Sequence, residues 1–225
     1  MTLHIEMVSD VVCPWCWVGL RRMQAAIQRA PELKVDLLYR PFELDPSLPA
    51  GGADYKDYMK QRFGSDTARQ RANQMRDLLV QYGKEDGIPF DFEAISWRPN
   101  TFNAHRLIRW AQGQKLGRQA KEALFEAYFA RGQNIGDTEV LVTLAAKMGL
   151  DANIISDLLT SEADVVPLRD EQAWFRQMGV QGVPTFIAHR QIAIQGAETP
   201  EKYVRFLKTA AAQIPTDRPL EGAQD

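Results

Sequence analysis

The sequence has 225 residues, and 27 Lys and Arg against 29 Asp and Glu give a net charge of −2. Hydrophobic residues make up 45% and charged residues 25%, the composition of a globular protein with a buried core. No run of basic residues is present, so we do not expect nucleic acid as a partner. Residues 1–6 lack the basic and apolar segments of a secretory leader, and the apolar run 11–20 is too short to span a bilayer. We therefore expect a cytoplasmic protein that does not contact the membrane.

Apolar alternation predicts a first strand over residues 3–10, and a helix over residues 14–30 that ends before Pro31. A second strand is predicted over residues 35–42. The Pro- and Gly-rich segment 43–52 then breaks the pattern. From there the pattern is helical, apart from an irregular stretch at 88–99, and the predicted helices cover 54–63, 66–83, 101–114, 117–131, 138–148, 151–160 and 167–178.

Strand patterns return at 185–188 and 191–194, and a last helix is predicted from Thr199 to Gln213, with proline at its first position. The order is therefore βαβ, a helical block, then ββα. This order predicts an α/β protein, a thioredoxin-like fold with an inserted all-helical domain. The predicted boundaries are 1–44 plus 179–214 for the thioredoxin-like domain and 45–178 for the insertion, with a loose tail at 215–225.

Cys13 and Cys16 are the only cysteines in the chain. They lie at the junction where the first predicted strand is followed by the first predicted helix. This spacing at a strand–helix junction indicates a dithiol redox centre. If the helix begins here, Cys13 is its N-cap and Pro14 its first residue. The amides of Trp15 and Cys16 then point at the Cys13 sulfur, and together with the helix dipole they favour a thiolate there. We therefore predict Cys13 as the exposed attacking sulfur and Cys16 as the resolving sulfur, within disulfide reach of each other.

Three other interpretations of the cysteine pair remain open at this point. A zinc site needs about four ligands, but there is no second cysteine pair and the three histidines are scattered. We therefore expect no metal. A structural disulfide across so short a loop would stabilise the fold little. Two unreactive buried cysteines are the third interpretation.

Three segments carry a resemblance to a known family: residues 9–16 around the dithiol, 99–106 in the helical block, and 179–186 at the returning strand. The chain resembles the DsbA family of thioredoxin-fold oxidoreductases, and within it the FrnE-like branch. The resemblance implies thiol–disulfide oxidoreductase activity, with protein thiols and disulfides or small thiols such as glutathione as partners. It implies no bound cofactor.

The resemblance also implies that the Val183–Pro184 bond is cis and lies beside the dithiol. Val183 could then pair its backbone with an extended substrate chain, which makes Val183 and Pro184 the expected substrate-binding pair. Pro14 and Trp15, between the cysteines, are expected to tune the redox potential. Trp15 stands where the well-known periplasmic member has histidine, so strong oxidising power is not implied.

Three further residues are candidates for a functional role, but each also has a simpler structural explanation. Asp10 could help to deprotonate Cys16 through water, although a loop or capping role explains it as well. Asn100 and His105 belong to the family's second motif. Asn100 is equally a helix cap, and His105 equally a helix residue that points toward the cleft between the domains.

Two other function classes stay open. Glutathione-dependent isomerases and transferases, of the 2-hydroxychromene-2-carboxylate isomerase and kappa types, share the inserted helical domain. They typically have serine at the Cys13 position, so the cysteine pair argues against that chemistry. A binding or holdase protein with the dithiol as a redox switch is the third class. The sequence indicates no oligomeric state.

Overall fold

The structure is a computed structural model that describes residues 2–213. Strands and helices alternate at both ends of the chain, and helices fill its middle. The elements are β1 Thr2–Ser9, α1 Pro14–Gln28, β2 Lys34–Pro41, β3 Ala53–Asp54, α2 Tyr55–Arg62, α3 Asp66–Asp86, β4 Trp97–Arg98, α4 Phe102–Gly113, α5 Gly117–Phe129, α6 Thr138–Lys147, α7 Ala152–Thr160, α8 Val165–Gln177, β5 Thr185–Ala188, β6 Ile192–Gln195 and α9 Pro200–Ala212.

The main sheet joins the two ends of the chain in the strand order β2-β1-β5-β6. β1 runs parallel to β2, and the connection between them contains α1, as a parallel pair requires. β5 is antiparallel to β1, with Val8 opposite Thr185, and β6 is antiparallel to β5. This confirms the predicted α/β class and thioredoxin-like sheet, because segments from the two ends of the chain complete it.

The inserted helices share one continuous hydrophobic core with the sheet. Ile5 and Met7 of β1, Trp17 of α1 and Phe125 of α5 all belong to this core and are almost completely buried. The aromatic ring of Trp17 stacks on that of Phe125, with ring centroids 5.8 Å apart and an interplanar angle of 11°. The inserted helices therefore form one wall of the dithiol region. The exact domain boundaries remain predictions.

Several of the helices begin at polar residues that cap them. The side chains of Ser65, Asp137, Asp151 and Thr199 accept hydrogen bonds from backbone amides in the first turns of α3, α6, α7 and α9. Such bonds satisfy amides that have no partner inside the helix. Helix α3 is longer than predicted, because it ends at Gly87, which has a left-handed φ of 68°.

The short ribbon of β3 and β4 was missed by the sequence analysis. Ala53 pairs with Arg98 and Asp54 with Trp97 across a long separation in sequence. Two-residue strands leave no periodic pattern, so this part of the 88–99 stretch gives no local signal. Among residues 2–213, no helix combines the length and apolar character needed to cross a membrane. The predicted tail at 215–225 lies outside the described residues.

Candidate active site

The dithiol lies at the start of α1. Cys13 occupies the N-cap in an extended conformation, and Pro14 is the first helical residue. The Cys13 amide donates to the Asp10 carbonyl at 3.2 Å, and the Cys16 amide donates to the Cys13 carbonyl at 3.0 Å. These two bonds close the turn that brings both sulfurs to one face of the helix start. Both cysteines are free thiols in the structure.

Two expectations about Cys13 are wrong in detail. Cys13 is only 5% exposed, rather than an open surface sulfur, although Cys16 is more deeply buried at 0%. The Cys13 sulfur also accepts no capping hydrogen bond from the helix amides. The thiol instead donates to the Val183 carbonyl, with 3.7 Å between sulfur and oxygen. The physical reason is that a neutral thiol is a donor, and a segment from the far end of the chain covers it with an acceptor.

Cys16 lies in surroundings that oppose its ionisation. Burial raises the pKa of the Cys16 thiol well above its ordinary value, and the neighbouring Cys13 sulfur raises it further. The positive charge of Lys121 acts in the opposite direction but does not offset the burial. Such a thiol reacts slowly by itself and needs help to lose its proton, as a resolving cysteine does.

The segment over Cys13 is the one that the sequence analysis chose for substrate binding. The Val183–Pro184 peptide bond is cis. Pro184 packs directly on α1 at Gly19, where an added Cβ would lie 2.8 Å from the proline Cγ. Val183 precedes the paired part of β5, which begins at Thr185. The only contact that its carbonyl makes among the described hydrogen bonds is therefore with the Cys13 thiol.

Trp15 is half-buried beside the dithiol and packs against α3. Its ring meets the edge of Tyr82 with the ring centroids 5.8 Å apart. The Arg22 guanidinium lies 4.3 Å from the centroid of the same Tyr82 ring and pairs with Asp86 at 2.8 Å. These contacts pack helix α3 against α1, and Trp15 contributes one side of its ring to them.

Asp10 and His105 form a buried pair behind the dithiol. Asp10 Oδ1 lies 3.2 Å from His105 Nε2, and the side chains are only 1% and 2% exposed. Asp10 Oδ2 accepts a hydrogen bond from the Leu44 amide at 2.8 Å. Burial alone would raise the pKa of Asp10, but the hydrogen bond and charge of His105, with the Leu44 amide and Arg98, lower it below 3.8. Both oxygens of Asp10 are therefore occupied, in agreement with its loop-anchoring interpretation.

Asn100 has contacts that resemble those of a cap and loop anchor. Its Oδ1 accepts from the Phe102 amide at 3.0 Å, and its Nδ2 donates to the Leu48 carbonyl at 2.8 Å. These bonds tie the start of α4 to the loop after β2. The described contacts of Asn100 include neither cysteine.

Two buried cations near the dithiol were missed by the sequence analysis. Lys121 of α5 is completely buried, and Arg98 of β4 is 8% exposed with its guanidinium 3.5 Å from the Val12 carbonyl. Lys121 could have been found, because it lies in the apolar stripe of an otherwise amphipathic helix. Arg98 has no such signal. Within residues 2–213, no three His, Cys, Asp or Glu side chains are placed to hold a metal ion.

Comparisons with known proteins identify the family of this chain. The DSBA-like thioredoxin domain family matches residues 4–208, and the chain belongs to that family. It is 30% identical to an uncharacterised protein, YwbO, of Bacillus subtilis over 188 residues, which is 83% of this chain and 87% of that protein.

Two solved structures show the same fold. The first is a probable DsbA oxidoreductase from Streptomyces coelicolor, with a TM-score of 0.86 and 27% identity, covering 98% of this chain and 93% of that one. The second is the cytosolic disulfide reductase DsbM from Pseudomonas aeruginosa, determined with GSH. Its TM-score is 0.62 at 18% identity, and the match covers 93% of this chain and 100% of that one. The chain is thus a member of a DsbA-like thiol–disulfide oxidoreductase family.

Proposed function

We propose that the protein is a thiol–disulfide oxidoreductase that exchanges a Cys13–Cys16 disulfide with protein or small-thiol substrates through a mixed disulfide on Cys13. The observation that carries this proposal is the asymmetry of the pair. The Cys13 thiol is 5% exposed and donates a hydrogen bond to the Val183 carbonyl, whereas Cys16 is completely buried one turn further on. Nothing in this arrangement requires a cofactor or a metal.

The reaction begins at the outer sulfur. A Cys13 thiolate attacks a substrate disulfide, a bond forms between Cys13 and one substrate sulfur, and the other substrate sulfur leaves as a thiolate. Cys16 then attacks Cys13, and the second substrate sulfur leaves. The protein is oxidised and the substrate reduced by two electrons, and the reverse sequence oxidises a substrate dithiol.

Val183 is the expected docking point for the substrate chain. Its backbone lies directly before β5 and beside the attacking sulfur, so an extended chain could pair with it as a short added strand. Substrate binding would replace the bond between the Cys13 thiol and the Val183 carbonyl. That replacement would release the sulfur for attack as the substrate disulfide arrives.

We propose that glutathione is one of the small thiols that exchange with the pair, inside the cytoplasm. The support is the fold shared with DsbM, a cytosolic disulfide reductase determined with GSH. Membership of the FrnE-like branch remains a proposal that rests on the sequence motifs alone.

Insulin reduction with dithiothreitol or glutathione as electron donor tests the proposed function. We expect the wild-type protein to accelerate insulin precipitation, and Cys13→Ser to be inactive because the attacking sulfur is gone. A wild-type protein no faster than the uncatalysed reaction, or a Cys13→Ser variant as fast as wild type, would contradict the proposal. Suppression of precipitation by both proteins would favour the holdase alternative.

A further inference from the structure

Lys121 is a buried charge that the fold itself does not explain. It lies on α5 among buried neighbours, and its side chain is completely buried. Its ammonium nitrogen has no hydrogen-bond partner within residues 2–213, and the Phe125 ring centroid lies 5.2 Å away. An unpartnered ammonium in a core destabilises a protein, and an apolar side chain of similar length would pack there without that cost.

The packing of α5 on α1 brings Lys121 to the dithiol. Trp17, the residue after Cys16, stacks on Phe125, one turn beyond Lys121. The charges of Cys16, Asp10 and Cys13 each raise the pKa of Lys121. Burial has the largest effect and acts in the opposite direction, so the pKa of Lys121 falls to about 8. The amine can therefore both hold and release a proton near neutral pH.

A small cavity lies beside Lys121. Its volume is about 10 Å³, close to what one water molecule needs. His105 and Lys121 line it on the inner side, and Arg40, Arg109 and Glu171 line it as well. Lys121 therefore lies beside a space that can hold one water molecule, to which its amine can pass a proton.

We propose that Lys121 is the proton acceptor and donor for Cys16, which deepens the proposed function and rests on it. When the mixed disulfide is resolved, the neutral Lys121 amine takes the proton of the Cys16 thiol through one intervening water molecule, because no direct hydrogen bond joins the two groups in the described residues. The Cys16 thiolate forms a bond with the Cys13 sulfur, the bond between Cys13 and the substrate breaks, and the substrate leaves as a thiolate. In the reverse direction Cys16 leaves Cys13 as a thiolate, and the Lys121 ammonium returns the proton.

Asp10, the acid that the sequence suggested for this task, is less suited to it. Both of its carboxylate oxygens already have partners, His105 and the Leu44 amide. Its pKa is lowered, which makes it a weak base. Lys121 has no competing partner in the described residues and a pKa much nearer to the working range.

The pH dependence of this step reflects several groups that surround Lys121. Each of the elements packed around its side chain contributes titratable or charged residues. These groups are Cys13, Cys16 and Asp10 at the start of α1, His105 and Arg109 of α4, Tyr39 and Arg40 of β2, and Glu171 of α8.

Reaction of the reduced protein with dithiobisnitrobenzoate, an aromatic disulfide with a coloured thiolate product, separates the two chemical steps. Attack by Cys13 releases the first thiolate, and resolution by Cys16 releases the second. In the wild type, the rate of the second release should rise with pH and level off above a midpoint near 8, where Lys121 becomes neutral. In Lys121→Met the second release should slow by about 100-fold and lose this plateau, while the first release changes far less.

Lys147→Met is the matched control, because it removes the same charge from an exposed position on another inserted helix. It should leave both releases unchanged. A second release in Lys121→Met with the wild-type rate and pH profile would overturn the role of Lys121 but leave the proposed function intact. A wild-type protein that releases no thiolate beyond the rate of a free thiol would instead overturn the proposed function.

The proposal can also be tested without a variant, should Lys121→Met fail to fold. In wild-type protein labelled with ¹³C at the lysine ε-carbon, one resonance should titrate near pH 8, well below the value of about 10.4 for lysine in model peptides. That resonance should shift when Cys13 and Cys16 form their disulfide, because its partner thiol is consumed. A spectrum in which no lysine titrates below about 9.5 would overturn the proposal.

Discussion

The two cysteines are one helical turn apart, but their surroundings come from different parts of the chain. Cys13 meets Val183, and the next residue, Pro184, packs on α1 at Gly19; both come from the segment that returns to the sheet. Cys16 lies against the core, where the inserted helix α5 contributes Lys121. Under the proposed function, the segment that returns to the sheet builds the side that meets substrate, whereas the inserted helices supply charge on the side that resolves the mixed disulfide.

Removing each sulfur in turn gives the largest expected effect and tests whether Cys13 and Cys16 have different roles. Cys16→Ser should accumulate mixed disulfides with client thiols, because the resolving sulfur is gone, and Cys13→Ser should trap almost none. Non-reducing gels of cell lysate, with the trapped species lost on reduction, measure the difference. Equal trapping by the two variants would show that the cysteines are interchangeable.

Alkylation rates compare the two thiols in the unmodified protein. Iodoacetamide should label Cys13 faster than Cys16 by at least about tenfold near neutral pH, because Cys16 is completely buried and its pKa is raised. Peptide mapping by mass spectrometry gives both rates. In concentrated urea the two rates should become similar, since folding creates the difference. Preferential labelling of Cys16 in the native protein would reverse the assignment.

The Asp10–His105 pair tests how much the charged groups buried near the dithiol contribute to the stability of the fold. Asp10→Asn should lower the free energy of unfolding at neutral pH by about 1–3 kcal/mol, because a buried carboxylate with two partners is lost. The matched control is Asp36→Asn, which breaks an exposed Asp–His pair with His4 and should cost less than about 1 kcal/mol. Urea unfolding measures both.

The pH dependence of the Asp10 effect has a definite sign. The pKa of Asp10 in the folded protein is lowered from 3.8, so its stabilisation is fully present above that value. The stabilisation is lost as the pH falls through the lower, folded-state pKa. The stability difference between wild type and Asp10→Asn should therefore shrink in acid. A difference that grew toward low pH would contradict the lowered pKa.

Gly19→Ala is the smallest substitution, and it alters the packing of the segment that covers Cys13. The added Cβ would lie 2.8 Å from the Pro184 Cγ, so it should push this segment away from the sulfur and destabilise the fold by about 1–3 kcal/mol. The rate of Cys13 attack should change while the lysine titration near pH 8 is kept. Gly113→Ala, at the end of α4 with open space around it, is the control and should be neutral or slightly stabilising. Similar effects of the two substitutions would argue against close packing at Gly19.

Much of the fold could be predicted because its signals are local. Strand alternation, N-cap residues and Pro14 at a helix start are properties of short segments, and they located most elements of the structure to within a few residues. The β3–β4 ribbon could not be predicted, because it pairs residues far apart that share no periodic pattern. The predicted exposure of Cys13 was wrong for a related reason: Val183, which covers the thiol, is 170 residues away in the sequence.

The dithiol, its place at the start of a helix and the order of elements that makes the sheet can all be read from the sequence. These follow from residue spacing and from the backbone preferences of proline and the capping residues. The atoms that surround each sulfur, the Val183 carbonyl at Cys13 and the buried Lys121 near Cys16, become known only once the chain is folded. These neighbours depend on how segments that are distant in sequence pack around one core. A chemical role for a buried lysine can therefore be inferred only when the structure shows which acidic group lies near it.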